Sequence, residues 1–260
     1  MDPITQVYKH LDGREVSRFQ TWEPRPPRFN PSSINDCSRK LWYAQVGTKP
    51  DGPGKGFLSL YGPSGDYYHD QVRFDMRDAG CELGGLIFHE DSRKVEETDV
   101  ARATITHNDQ EFVLSGRGDG RIKIDGDWYY LEIKSVDAYK MRWMEDAYRK
   151  GRLMKYMQEK WAKYFSQTNM MCAPEMLDLK GTYLVMVNRS NCQYGFSDKD
   201  FTKREGGLLY DFDPEQWEQQ KIKMAMITKR RHSGVAPVRG HAEGSKDCGY
   251  CPFSERCWGV

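Results

Sequence analysis

Gly116-Arg117-Gly118-Asp119-Gly120, followed by Arg121-Ile122-Lys123-Ile124, Asp125-Gly126 and Asp127-Trp128-Tyr129-Tyr130-Leu131-Glu132-Ile133-Lys134, is the stretch on which the fold turns. Both apolar runs are rich in β-branched and aromatic residues, as strands are. Asp125-Gly126 between them tolerates the positive φ of a tight turn, so the two runs predict a hairpin. That hairpin carries Asp119 at the start of one strand and Glu132 and Lys134 near the end of the next. Side chains alternate along a strand, which puts Glu132 and Lys134 on one face and turns Ile133 into the core. Two carboxylates and an ammonium are thereby expected at one point.

Upstream, Leu-Ile-Phe-His-Glu-Asp (86–91), Val-Ala-Arg-Ala-Thr-Ile-Thr-His (100–107) and Glu-Phe-Val-Leu-Ser-Gly-Arg-Gly (111–118) extend the strand pattern, a meander from residue 83 to 134. Before it, Ser32 or Ser33 is placed to cap a helix ending at Gln45, with Ile34, Cys37, Leu41 and Trp42 on one side. A second helix is predicted over 57–79, its regular part beginning after Ser64. After the meander, helices are predicted over 137–149 and 152–165 with Gly151 as the break, then a strand pair over 181–197, then a charged amphipathic helix over 214–231. The order predicts a mixed α/β core. Residues 1–31 read as an extended arm, 32–235 as the core, which includes Cys37, and 236–260 as a cysteine-bearing tail.

Composition narrows the function classes. The 260 residues carry 39 Lys+Arg against 38 Asp+Glu, a net charge of +1, so any nucleic-acid surface must be local. No apolar run approaches the roughly 20 residues of a membrane helix, and no apolar signal core opens the chain. A soluble, non-secreted protein of a reducing compartment is expected, in keeping with an odd count of seven cysteines. Basic residues gather at Arg142, Arg149, Lys150, Arg152 and Lys155, interleaved with Trp143, Tyr148 and Tyr156. Such a set can track phosphates and stack unpaired bases; it can equally be a solvated face.

A carboxylate pair with a lysine suits phosphodiester hydrolysis. Hard oxygens hold Mg²⁺ or Mn²⁺, the Ile133 carbonyl can add a further oxygen ligand, and the lysine orients water or neutralises developing charge. The bare Glu-x-Lys triplet is common, so its company decides its meaning. Cys248-x2-Cys251-x5-Cys257 supplies three thiolates of one soft metal centre, and Cys37, 211 residues before Cys248, can complete it as either a zinc site or a cubane.

Together, Gly-Arg-Gly-Asp-Gly-x11-Glu-Ile-Lys, Cys37 followed by Arg39 and an aromatic, and the ending Cys-Gly-Tyr-Cys-Pro-Phe-Ser-Glu-Arg-Cys (248–257) resemble the PD-(D/E)XK nuclease superfamily, and within it the RecB-like branch that includes Cas4-like iron–sulfur nucleases and related phage exonucleases. The resemblance implies a restriction-endonuclease-like mixed β-sheet flanked by helices, with a C-terminal iron–sulfur subdomain joined to an N-terminal helix. It implies His69 as a further metal ligand beside Asp119, Glu132 and the Ile133 carbonyl, and a [4Fe–4S] cluster on Cys37, Cys248, Cys251 and Cys257, with Zn²⁺ as the alternative. The branch also carries a glutamine and a tyrosine on the helix after the Glu-x-Lys strand. Gln158 and Tyr164 are the candidates, at a spacing two residues longer than usual, and Tyr156 or Trp161 are substitutes for the tyrosine. The implied function is a Mg²⁺- or Mn²⁺-dependent exonuclease on single-stranded DNA or DNA ends, in recombination, repair or phage DNA processing. It would act in the cytoplasm, or the host cytoplasm if phage-encoded. A homo-oligomer or a recombination or replication partner protein is compatible with that branch. The competing readings are a catalytically silent DNA-binding or assembly module of the same fold, and a zinc-stabilised structural protein.

Overall fold

The computed structural model describes residues 3–53, 61–197, 204–205, 207–243 and 245–259. Helices α1 (Pro3–Gln20), α2 (Ser38–Gln45) and α3 (Tyr61–Asp78) come first. Strands β1 (Leu83–Gly84), β2 (Leu86–His89), β3 (Lys94–Glu97), β4 (Val100–His107), β5 (Gln110–Arg117), β6 (Arg121–Ile124) and β7 (Asp127–Val136) follow. Then come α4 (Ala138–Arg149), α5 (Leu153–Lys160) and α6 (Ala162–Cys172), and strands β8 (Gly181–Asn188), β9 (Gln193–Tyr194), β10 (Phe196–Ser197), β11 (Arg204–Glu205) and β12 (Leu208–Asp211). The chain closes with α7 (Pro214–Ser233), α8 (Lys246–Gly249) and α9 (Ser254–Trp258).

The central sheet is mixed, in the order β1-β6-β7-β8-β12, with β9 added on β8. β7 and β8 run parallel in the register Glu132↔Leu184 and Lys134↔Met186; β6 pairs antiparallel with β7 through Asp125 (φ 51°) and Gly126 (φ 92°), the predicted turn. Alternation sends the side chains of β8 to both faces. Val185 and Val187 join Leu131, Ile133 and Val72 of α3 in one core, while Leu184 and Met186 join Met141, Met144 and Met157 of α4 and α5 in another. A sheet buried on both faces reads as continuous apolar runs, as Tyr-Leu-Val-Met-Val does at 183–187. The expectation of a mixed α/β core with helices on the sheet holds.

The meander does not continue as one sheet. β2-β3 and β4-β5 are separate two-stranded hairpins. The β4-β5 hairpin packs Ile105, Phe112 and Leu114 against Trp217, Met224 and Ile227 of α7, and Phe29 lies beside it, its N–H bonded to the Val113 carbonyl at 2.8 Å.

Three helix boundaries differ from expectation. Residues 3–20 form α1, where an extended arm is expected. Of its described side chains only Leu11 is buried, so its apolar stripe is too thin to register as periodicity. The helix expected from Ser32 to Gln45 divides into a 3-10 turn at Pro31–Ser33 and α2, because Cys37 takes the cap position, its Sγ accepting from the Lys40 N–H at 3.3 Å. The helix expected over 152–165 breaks at Trp161 (φ −126°, ψ 24°), and α6 then runs on to Cys172. The predicted helix over 57–79 begins at Tyr61 in the structure; its first residues, 57–60, lie outside the described ones. α7 matches expectation, with Asp213 capping its start and Gly234 (φ 68°) ending it.

β12 closes on β8 at Gly181, where a Cβ would stand 2.2 Å from the Tyr210 carbonyl oxygen and 2.7 Å from the Asp211 Cα. Backbone cannot yield as a side-chain tip can. Gly181→Ala is expected to lower the urea-unfolding midpoint by an amount equivalent to about 1–3 kcal/mol.

Candidate active site

β6 begins only at Arg121, paired with Tyr130, and that late start creates the site. The Leu131 N–H still bonds to the Gly120 carbonyl at 2.9 Å, but one step further along β7 the Ile133 N–H is met by Asp119 Oδ2 at 2.8 Å. A side-chain carboxylate takes the place of the next strand. In a β-strand the N–H and C=O of one residue project to the same side, so the Ile133 carbonyl also faces the edge that Asp119 occupies.

On the face of β7 away from α3, Tyr130, Glu132 and Lys134 follow one another at every second residue. Glu132 is 1% exposed. Its Oε2 accepts from the Tyr130 hydroxyl at 2.7 Å, its Oε1 accepts from Gln167 Nε2 at 3.1 Å, and Oε1 also ion-pairs with Lys134 Nζ. Both oxygens of this carboxylate meet donors of the chain itself, as burial of a charge requires.

α3 supplies the other half. His69 Nδ1 lies 3.3 Å from Asp119 Oδ1. One turn further, Arg73 is 1% exposed and donates Nε to the Asp119 main-chain carbonyl at 2.9 Å, with Nη2 at 2.6 Å from Glu97 Oε1 and 3.3 Å from Asp119 Oδ1. Its Nη1 reaches Asp70 Oδ1 at 3.4 Å. One guanidinium thus ties α3, β3 and the Asp119 turn together.

The charges follow from these contacts. Burial alone would raise the Asp119 carboxyl, but His69, Lys134 and Arg73 outweigh it and hold the group well below the usual carboxylate range. Burial dominates at Glu132 and raises it despite Lys134. Burial would lower Lys134, yet Glu132 and Asp119 more than offset that and keep the ammonium charged. Burial, then the charge of Glu132, pushes the Tyr130 phenol far up, so it remains a neutral donor.

Asp119, Glu132, Lys134, His69 and Ile133 are therefore brought together. Tyr164 lies beside them, its ring centroid 5.3 Å from Lys134 Nζ and stacked on Trp161 at 5.1 Å. Gln158 is not with them. It sits exposed on α5, lining a cavity with Met154, Ala162 and Phe165, and the glutamine that reaches Glu132 is Gln167. The break at Trp161 separates the two glutamines into different helices.

Arg73, Tyr130 and Gln167 are additions to the residues expected from sequence. Arg73 lies one helical turn after His69 and Tyr130 one alternation before Glu132, so both had a periodic signal; Gln167 falls beyond the point where the helix was expected to end. Gln167 also lines a polar cavity of about 360 Å³ together with Arg28, Asn30, Ser32, Ser115 and Arg117.

Of the basic set, Arg149 pairs with Glu145, and Lys150 and Arg152 with Asp146; among the described residues Arg142 and Lys155 have no carboxylate partner. Cys37, Cys248, Cys251 and Cys257, half-buried and free, line a single cavity of about 320 Å³ between the start of α2 and the tail. The tail is docked there by Tyr43 against Phe253, ring centroids 5.2 Å apart, and by the Asp51 N–H on the Pro252 carbonyl at 2.8 Å. Of the remaining cysteines, Cys172 is buried, which pushes its thiol up to about 12, whereas Cys81 and Cys192 are exposed. Among the described residues, no group of three or more His, Cys, Asp or Glu side chains is arranged to hold a metal ion, and no helix is long and apolar enough to cross a membrane.

No family model and no curated protein matches the chain. Solved structures similar over most of its length include the following two. The crystal structure of SSO0001 is 12% identical, with 97% of this chain and 96% of that one covered and a TM-score of 0.43. That of LHK-Exo in complex with dAMP is 11% identical, with 88% and 93% covered and a TM-score of 0.44. Scores at this level carry no argument about chemistry, which rests on the residues.

Proposed function

We propose that this chain is a metal-dependent DNA nuclease. The observation that carries the reading is the convergence of His69, Asp119, the Ile133 carbonyl, Glu132 and Lys134 on the one edge of β7 that β6 leaves open. The donor chemistry, one imidazole and hard oxygens, fits Mg²⁺ or Mn²⁺. Those side chains now bond to one another, so a cation would draw Glu132 from Lys134 and Asp119 from His69. When bound, the cation supplies Lewis-acid activation of water and of the phosphoryl oxygen. The chain's own part is to hold Asp119 ionised, to keep Lys134 charged beside the scissile phosphate, and to orient Glu132 through Tyr130 and Gln167. Water adds to phosphorus and gives up a proton to solvent, the bridging P–O bond breaks with its electron pair on the leaving oxygen, which takes up a proton in turn, and Lys134 would offset the charge that develops on the phosphoryl oxygens. The test is degradation of end-labelled single- and double-stranded DNA with Mg²⁺, Mn²⁺ or EDTA.

The cavity beyond Gln167 favours action at ends. Its two guanidinium groups and two hydroxyls suit a terminal phosphate, which would be fixed one step from Glu132. Arg28→Ala with Arg117→Ala is expected to abolish any preference for phosphorylated over hydroxyl ends while sparing most of the rate on hydroxyl ends; cleavage of the two ends in one mixture measures it. The pathway would be recombination, repair or phage DNA processing, in the cytoplasm.

The cysteine cavity is read as the seat of a [4Fe–4S] cluster stapling α2 to the tail. Four free thiols lining one cavity, with Lys40 beside them, fit an anionic thiolate centre. Wild type is expected to show visible iron–sulfur absorption and Cys37→Ala to lose it. A colourless protein with stoichiometric zinc would reassign the centre.

A further inference from the structure

α4 starts three residues beyond Lys134, at the Asp137 cap. Its inner face is buried through Met141, Met144 and Ala147. On its outer face, Tyr139, Arg142 and Trp143 stand at i, i+3 and i+4 and so are neighbours. Tyr139 is 68% and Trp143 49% exposed, and their rings meet edge to face with centroids 5.9 Å apart. The fold does not use these two rings. The nearby cations are engaged, Lys140 with Asp137 at 3.1 Å and Lys150 with Asp146 at 2.7 Å, whereas Arg142, on the same helix face, has no carboxylate partner among the described residues.

We infer that this face is a stacking platform for unpaired bases of a DNA strand passing the catalytic edge, with Arg142 on its phosphate. The inference rests on the nuclease reading and adds the surface on which the unpaired strand would lie. A nucleic-acid strand is the occupant that the charge pattern fits. The apolar area is confined to two rings set among charged side chains, which matches alternating bases and phosphates better than a continuous apolar partner. The position matches too, since the Asp137 cap that opens α4 lies three residues beyond Lys134 in the chain.

The experiment is a fluorescence-anisotropy titration in EDTA of labelled 20-nucleotide oligo(dT), a blunt duplex of equal length and an abasic strand of equal length. Tyr139→Ala with Trp143→Ala is expected to weaken oligo(dT) binding on the order of tenfold to a hundredfold, with little change on duplex or abasic strand. Tyr139→Leu with Trp143→Leu, which keeps apolar bulk but no ring, should show the same loss. Arg142→Ala should weaken all three ligands and flatten the salt dependence. Unchanged oligo(dT) affinity in both aromatic double variants, or an equal loss on duplex, overturns the platform. Absence of oligo(dT) binding by the wild type overturns it as well. Because binding is read without cleavage, failure of the platform and failure of the nuclease chemistry are separate results.

Discussion

Asp119→Asn is expected to leave a folded protein that cuts no DNA in either metal. The amide oxygen can still accept the Ile133 N–H that Asp119 Oδ2 accepts at 2.8 Å, so the turn keeps its place. What disappears is the negative charge that His69, Lys134 and Arg73 hold so firmly ionised. Lys134→Ala should lower the rate on the order of a hundredfold to a thousandfold, the range seen when one group stabilising transition-state charge is removed. Lys134→Arg should not restore it, because the planar fork cannot occupy the point-charge position beside Glu132. Single-turnover cleavage of end-labelled DNA separates these losses from weakened binding. If both variants cut as fast as wild type, the site assignment is wrong, and a silent DNA-binding module becomes the better reading.

The second large effect is structural. Arg73→Met replaces a guanidinium that faces Asp70, Glu97 and Asp119 in a buried setting. Removing one partner of such a group strands the others, at a typical cost of about 3–5 kcal/mol. Burial already raises the Asp70 carboxyl, and Arg73 is the largest influence opposing that rise. Without Arg73 the Asp70 carboxyl rises further above its unfolded value. Its ionised form then destabilises the native state, and protonation relieves the penalty. The deficit of the variant relative to wild type should therefore be full at neutral pH and shrink as pH falls below about 5. Arg73→Lys should fall between, since one ammonium cannot serve the Asp119 carbonyl, Glu97 and Asp70 at once. Urea unfolding at pH 7 and pH 4.5 measures both; a deficit independent of pH would mean that Arg73 acts through packing alone.

Much of this was legible in residues alone, and the reason is periodicity. The hairpin through Asp125-Gly126 follows from turn chemistry, and the shared face of Glu132 and Lys134 from the two-residue repeat of a strand. The helix from Pro214 follows from its charged amphipathic pattern. Elements held by few apolar contacts were not legible: α1 buries one of its described side chains, and the Cys37 cap interrupts what looks like one helix. The break at Trp161 was equally hidden, since no Gly or Pro marks it.

By itself, the sequence determines which groups lie on the β6-β7 hairpin and which face each takes, because strand alternation and a two-residue turn are local. It also places three cysteines within ten residues of one another. Only the tertiary structure decides that α3 brings His69 and Arg73 to Asp119, that Gln167 and not Gln158 reaches Glu132, and that Cys37 shares a cavity with the tail. Those meetings join positions 35 to more than 200 residues apart. They depend on how whole elements pack, through cores that a one-dimensional pattern signals but does not aim.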